Sequence, residues 1–414
     1  MTRTGAATRQ TERYEAKRDA ILNAAARLFN RKGLKGATLA DVAEAVGLIT
    51  TSVTYYYRRK EDLAAACLLR TIDLLNGLVE TASAAPTPEA RVTAFIDAYF
   101  EVLADIATHR RPEPINFYDI RALTGPQVMT VKDAFNDLFR AIRALLRPEA
   151  GSPFDRLEEN ARTHLFFSQI LWARTWLRRY DPDDYPRVAR RMAVLILEGM
   201  AEEGAVWHGA EGPAVDPDPP VDGEISQASY LKAVTQLVND QGYHGASVER
   251  IAAKLNVTKG SFYHHNDTKD DLVASCFERS FAIVRGAQKQ AVGETGWDRI
   301  TSVTDALARF QLSPNGPLLQ YMALAAAPGG IRGDLLAAMD RLSKHFAGEV
   351  SDGIADGSIR RIDPAVAAQL ITGAVNAAAD LPRWIKGKQY PAAIDTDWAS
   401  QTFVRPLFTG LLCA

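Results

Sequence analysis

Sliding the sequence past itself by 209 residues brings 17–67 into gapless register with 226–276. The identities include Leu22/Leu231, Leu28/Leu237, Gly33/Gly242, Gly36/Gly245, Ala37/Ala246 and Ala43/Ala252. They continue through Ser52/Ser261, Lys60/Lys269, Asp62/Asp271, Leu63/Leu272 and Cys67/Cys276. Glycines, helix caps and apolar positions all stay in step, so the chain is a tandem duplication. Whatever it folds into must be a structure that a unit of about 200 residues can form twice. Between the copies, 211–224 reads EGPAVDPDPPVDGE, a Pro- and Asp-rich run without helical period. It reads as a stiff, extended linker, and a connector of about 20 residues at ~3.1 Å each could reach ~60 Å.

Both halves read as all-α. Ile21, Leu22, Ala25, Leu28 and Phe29 fall on one helix face that ends at Gly33. Tyr230, Leu231, Val234, Leu237 and Val238 repeat the pattern up to Gly242. Further on, the period stays helical between proline and glycine breaks, and no segment sustains the period-two alternation of a strand.

The motif that carries function follows the first helix of each copy. Thr38-Leu39-Ala40-Asp41 has the form of a capped helix start, with Thr as N-cap and an acid three residues on. The helix over 39–46 buries Leu39, Val42, Ala43 and Val46, stops at Gly47, and a second short helix begins near Thr50. Two short helices joined by a tight turn form a helix-turn-helix, whose second helix can enter the major groove of DNA. The second copy repeats this as 247–255, a turn at Asn256-Val257, and a helix over 259–265. Hydroxyl-rich and basic side chains suit phosphates and base edges: Thr50, Thr51, Ser52, Tyr55, Tyr56 and Lys60 in the first copy. In the second they are Lys259, Ser261, Tyr263, His264, His265 and Lys269, with Gly260 allowing close approach of backbone to the duplex. The competing reading is a helical protein with a Tyr-rich solvated turn.

These residues resemble the N-terminal signature of the tetracycline-repressor (TetR) family of bacterial one-component regulators. The first copy runs Gly47-Leu48-Ile49-Thr50-Thr51-Ser52-Val53-Thr54-Tyr55-Tyr56-Tyr57, then Arg58-Arg59-Lys60-Glu61-Asp62-Leu63. The second runs Asn256-Val257-Thr258-Lys259-Gly260-Ser261-Phe262-Tyr263-His264-His265, then Asn266-Asp267-Thr268-Lys269-Asp270-Asp271-Leu272. The detailed match covers about 50 residues of each half. Departures differ between copies. Ile49 stands where the family has a capping Ser, so the cap is expected to pass to Thr50 or Thr51. Asn266 stands where a Phe usually buries beneath the recognition helix. The resemblance implies phosphate contacts at Tyr56 and Lys60, then Tyr263, His265 and Lys269. It implies base readers among Thr50, Thr51, Ser52 and Tyr55, then Lys259, Gly260, Ser261 and His264.

The resemblance further implies two tandem units, each a three-helix DNA-binding domain followed by a helical ligand-binding and dimerisation domain. The expected divisions are 1–62 and 63–204, a linker over 205–224, then 225–271 and 272–414. Paired helices over 155–180 and 185–200, and over 363–385 and 398–411, are apolar enough to build a four-helix bundle. The two halves could then pair internally as a single-chain pseudo-dimer; a homodimer of chains is the rival. The implied function is that of a ligand-responsive transcriptional regulator, a repressor, binding a double-stranded DNA operator. The nearer alternative leaves DNA to the N-terminal module and uses the C-terminal unit as dimerisation partner. The first half is aromatic, and Phe95, Tyr99, Phe117, Phe135, Phe139, His164, Phe167 and Trp172 are candidates to line a pocket for an apolar or aromatic effector.

Composition excludes several other classes. Three cysteines in 414 residues make no disulfide framework, and Cys67 and Cys276 read as buried small residues. With no apolar span of membrane length and a polar start, no membrane is expected and the cytoplasm fits best. No phosphate loop, nucleophile elbow or metal spacing appears, so no cofactor is called for and an α-helical enzyme is a remote alternative. A net charge of −2 argues against DNA binding only as an average. Residues 1–60 carry twelve basic side chains against five acidic ones, net +7, while 226–269 carries five against three, net +2. Phosphate neutralisation dominates affinity for DNA, so the first module is the stronger expected reader.

Overall fold

The computed structural model describes residues 4–148, 151–209, 227–255, 268–321, 323, 329–385 and 394–413. Among these residues the fold is all-α. The lone extended pairing is an isolated antiparallel bridge between Ala201 and Ile359. The first half runs α1 (Thr4–Gly36), α2 (Leu39–Ala45), α3 (Thr50–Tyr56), α4 (Lys60–Ser83), α5 (Pro88–Ala107), α6 (Val128–Leu145), α7 (Arg156–Trp176) and α8 (Tyr185–Glu198). The second begins with α9 (Gln227–Gly245), α10 (Val248–Leu255), α11 (Lys269–Gln290) and α12 (Gly296–Leu312). It continues with α13 (Gly329–Asp356), α14 (Pro364–Ala378) and α15 (Leu381–Ile385).

The duplication is legible in the backbone. α1 and α9 both kink at a glycine in the left-handed region, Gly33 at φ 68° and Gly242 at φ 73°, positions 209 apart. A side chain there would meet the steric penalty that keeps other residues out of this conformation. The C-terminal helix expected over 398–411 is instead three pieces: α16 (Thr396–Ala399), a π-helical turn (Ser400–Val404) and α17 (Arg405–Thr409). Pro406 lacks an N–H and its ring crowds the preceding turn, so a regular α-helix cannot run through it unbroken.

The halves pack on one another along a seam. α7 lies antiparallel to α14: His164 Nε2 donates to Ala377 O at 2.9 Å, Gln169 Nε2 to Leu370 O at 3.0 Å and Trp172 Nε1 to Gln369 O at 2.9 Å. Gly373 permits this approach, because a Cβ on it would lie 2.5 Å from Gln169 Oε1. At the other end of α7, Asn160 Nδ2 donates to Trp384 O at 3.0 Å and Arg162 to Leu411 O at 2.6 Å.

The segment that leaves α8 joins the second half at once. Gly199 turns at φ 70°, and a Cβ there would sit 2.2 Å from Phe408 O. Met200 and Ala201 N–H both donate to that carbonyl, at 2.7 and 3.0 Å, and Arg360 N–H donates to Met200 O at 3.2 Å. Trp297 Nε1 then donates to Val206 O at 2.9 Å. Residues 199–209 are therefore packed against the second half, although 205–209 read as linker; the remainder of that linker lies outside the described residues.

Candidate nucleic-acid interface

In the first module the caps form as the residue types dictate. Thr38 Oγ1 accepts from Asp41 N–H at 3.1 Å while Asp41 accepts from Thr38 N–H at 2.8 Å, closing a capping box. Lys32 Nζ donates to Asp41 at 2.8 Å; this bond, with those from Thr38, holds the carboxyl down at about 2. Val42 and Ala43 are buried, and Gly47 at φ 66° makes the turn into α3. α3 is anchored by buried Val53 and presents its other side outward, with Thr50, Thr51 and Tyr55 exposed and Ser52 and Tyr56 half-buried. The expected transfer of the cap to Thr50 or Thr51 does not occur. Ile49 occupies the cap position without a side-chain bond, because the helix already begins at Thr50 and places both threonines inside its first turn.

Tyr14, from the start of α1, completes this surface and has no counterpart in the sequence-derived site. Its ring lies 4.7 Å from that of Tyr56, and Tyr55 stands edge-on to Tyr56 at 5.3 Å. The three rings brace one another and leave Tyr55 76% exposed. Tyr14 sits 41 residues before Tyr55 in a polar stretch, so no local pattern marks it. Lys60 Nζ lies 3.5 Å from Lys35 O, beside exposed Arg58.

The second module is described only in part. Lys259, Gly260, Ser261, Tyr263, His264 and His265 lie outside the described residues. Ser247, the counterpart of Thr38, accepts from Arg250 N–H at a long 3.4 Å, and Arg250 stands where Asp41 would complete a box. Lys269, the counterpart of Lys60, is half-buried: its amine donates to Tyr243 O at 2.5 Å and lies 4.3 Å from the Tyr243 ring centroid. Burial pushes its pKa below the usual lysine value.

Each module is fastened to its own half by one asparagine. Asn30 Nδ2 donates to Pro114 O at 2.9 Å and its Oδ1 accepts from Asn116 N–H at 2.8 Å. Asn239, at the 209-residue offset, donates to Leu318 O and accepts from Gln320 N–H, both at 2.9 Å. Both positions are asparagine at the same offset, yet nothing in sequence names a loop about 80 residues downstream as the partner. Arg174 of α7 continues the first clamp, donating to Asn116 Oδ1 at 2.7 Å and pairing with Glu113. The cysteines are also equivalent. Cys67 and Cys276 are buried, point at Leu22 O and Leu231 O at 3.6 and 3.5 Å, and burial pushes both thiols up to about 12.

The aromatic residues expected to line a pocket are divided. Phe95 is buried against Phe166, and Phe117 and Phe167 both meet Phe135. Second-half rings meet several of the others. Trp384 stacks on Phe139 at 4.0 Å and meets Phe135 and His164, while Tyr321 stacks on Trp172 at 5.7 Å. His164 is buried and its pKa lowered, with Nε2 bonded to Ala377 O and Ser168 Oγ 3.2 Å from Nδ1. Tyr99 and Phe117 border a narrow cavity beside the 114–117 loop, with about 20 Å³ open to the centre of a water molecule. That is room for about one water. Among the described residues no helix is long and apolar enough to cross a membrane.

Two short helices around a glycine turn, the first capped and the second presenting hydroxyls and flanked by bases, define a helix-turn-helix protein. Residues 21–67 and again 231–276 match the bacterial regulatory proteins of the tetR family. The chain therefore carries two modules, one in each half, that match this family. Among curated relatives, the Escherichia coli transposon Tn10 TetC protein is 26% identical, covering 22% of this chain and 47% of the relative. The transcriptional repressor KstR2 of Mycolicibacterium smegmatis is 28% identical, covering 25% and 49%. The transcriptional regulator RutR of Escherichia coli is 30% identical, covering 29% and 55%. The chain thus spans about half the length of the curated relatives it matches. A TetR-family regulator structure from Bordetella parapertussis aligns over 44% of this chain and 94% of its own length, at 24% identity and a TM-score of 0.37.

Proposed function

We propose that the chain is a ligand-responsive transcriptional regulator, acting as a repressor, and that it reads a DNA operator through its helix-turn-helix modules. The observation that carries this reading is the exposed face of α3. Thr50, Thr51 and Tyr55 are exposed with Ser52 beside them, Tyr14 and Tyr56 brace Tyr55, and Lys60 and Arg58 stand at the edge. Hydroxyls in the groove and cations at its rim are what base reading and phosphate neutralisation require.

The two halves act as an internal pair, one chain per operator. The continuous α7–α14 seam and the threading of 199–209 into the second half support this reading. Since Thr50-Thr51-Ser52 and Lys259-Gly260-Ser261 differ, the two half-sites of the operator differ as well. A second reading has the N-terminal module alone on DNA; it is favoured by the Lys269 amine being engaged inside its own module. A small-molecule effector would act by enlarging the cavity beside Tyr99 and Phe117, because its wall includes Pro114 and Asn116, the loop that Asn30 holds. Moving that loop changes the angle at which the module is presented, a two-state shift of the kind that couples distant sites.

Native mass measurement of the protein on a footprinted promoter fragment tests the pairing directly. One chain over an imperfect palindrome is expected. Two chains on a perfect palindrome would replace the internal pair with a homodimer carrying four modules. If no sequence-specific footprint forms at any salt concentration, the regulator reading fails.

A further inference from the structure

A cleft of about 590 Å³ opens between α8 and the turn that leads into α14. Arg187, Arg190 and Arg191 line it from the first half and Arg361 from the second. On α8 the three arginines fall at i, i+3 and i+4, one face of the helix, where like charges repel. Packing does not call for that arrangement, since all three side chains are exposed.

The acids nearby balance it only in part: Asp97 on α5 lies near enough for the Arg190 charge to act on its carboxyl, and it stands outside the lining. Asp363 is the one carboxylate in the lining, and both its oxygens are used. Oδ1 caps α14, accepting from Ala365 and Val366 N–H at 2.9 and 3.1 Å, and Oδ2 pairs with Arg191. Arg187 reaches Asp184 at 3.1 Å in an exposed pair, which counts for little. Arg190 and Arg361 make no ion pair among the described residues. The other side of the cleft is apolar, formed by Val194, Leu195, Ile362 and Pro364, and Val194 is 40% exposed with nothing polar to excuse it.

The geometry points to a binding site for an organic di- or polyphosphate, its phosphates on Arg190, Arg361 and Arg187 and its ring or chain on the Val194–Ile362 side. Guanidinium forks grip phosphate oxygens two at a time, and the volume lies within the range of small-molecule sites. Several guanidiniums call for several negative charges, which favours a diphosphate over a single carboxylate. Because the arginines come from both halves, an occupant ties α8 to the turn before α14. The binding stands apart from the DNA-binding reading; only its use as a signal rests on that reading.

Isothermal titration of the full chain with ADP, inorganic pyrophosphate and adenosine tests the site. ADP is expected to bind below about 100 µM, pyrophosphate at least threefold more weakly, and adenosine not detectably. Arg190→Glu with Arg361→Glu should weaken ADP at least tenfold. The Arg190→Lys/Arg361→Lys pair, which keeps charge and fold, should weaken it several-fold through loss of the forked contacts. Arg285→Glu, an exposed arginine on α11 outside the cleft, should leave ADP affinity unchanged. The assignment is overturned if neither ADP nor pyrophosphate binds below millimolar. It is overturned equally if the Lys pair binds as wild type or if Arg285→Glu weakens binding as much as the cleft variants do. A chain that footprints DNA normally yet fails these titrations loses this site and keeps the regulator reading; ADP binding without any footprint does the reverse.

Discussion

The two DNA-binding modules began as copies, and what has diverged between them is the surface rather than the frame. Both keep the glycine kink in the first helix, the buried cysteine on the carbonyl one helix away, and the asparagine clamp. The first also keeps a full capping box, net charge +6 over 17–60, the stretch equivalent to 226–269, and a lysine whose amine makes only a long, exposed contact of 3.5 Å with Lys35 O. In the second the box has lost its acid to Arg250, the net charge is +2, and the lysine amine turns onto Tyr243. Parts that hold each module to its own half have resisted change, while parts that would face a partner molecule have not.

Removing the clamps should produce the largest effect and should treat the halves alike. Asn30→Ala and Asn239→Ala each leave a loop carbonyl and an amide without their partner, a loss of about 2 kcal/mol apiece. Chemical denaturation would measure both, and a loss at one position alone would show that the clamps are not equivalent. Next comes DNA affinity, where the modules should separate. Lys60→Ala and Tyr55→Ala are each expected to weaken binding about tenfold, with Lys60→Ala lowering the salt slope by about one. Lys269→Ala should change affinity less than threefold; fluorescence anisotropy across a salt series would show whether the second module touches phosphate after all.

Capping should differ by a smaller margin. Thr38→Ala is expected to cost about 1 kcal/mol and Ser247→Ala less than half of that, since the Ser247 bond is long and lacks its reciprocal acid. Asp41 adds a pH signature. Its carboxyl is held at about 2 by Lys32 and Thr38, below the ordinary 3.8, so the support it gives α2 is full above that ordinary value. It is lost as pH falls toward about 2. Amide exchange should find the protection of α2 falling across that acid range, with no such step from the cap of α10, where Arg250 stands in place of the acid. The smallest expected effect is a null. Cys67 and Cys276, pushed up to about 12, should resist a thiol reagent at pH 8 while exposed Cys413 reacts, giving one thiol per folded chain and three per unfolded chain.

What could be read from sequence was what repeats or follows a local rule. The 209-residue register, the Thr38–Asp41 box and the stops at Gly33 and Gly47 are set by neighbours within a few residues, and the all-α architecture follows from them. The cap at α3 failed for the same local reason seen from the other side: one residue of shift in the helix start puts Thr50 at the first helical position. The fate of the aromatic residues was out of reach. Phe135, Phe139 and Trp172 announce a ring-rich interior, but only the tertiary fold shows that Trp384 and Tyr321, about 150 residues or more further on, meet them. The backbone pairing of Met200 and Ala201 with Phe408 involves groups that every residue carries, so no side-chain pattern could have marked it. Tyr14 lay hidden likewise, its place on the candidate surface decided by how the start of α1 crosses α3.

The seam where Trp384 settles against Phe139 and His164 is built from unlike surfaces. A first half has no second copy of that tryptophan to offer another first half, nor an Asp380 to receive its own Arg121. In an assembly of identical chains every substitution appears on both sides of the axis at once, and subunits from sister genes can exchange. A seam of unlike surfaces within one chain escapes the first condition: each face can be altered singly.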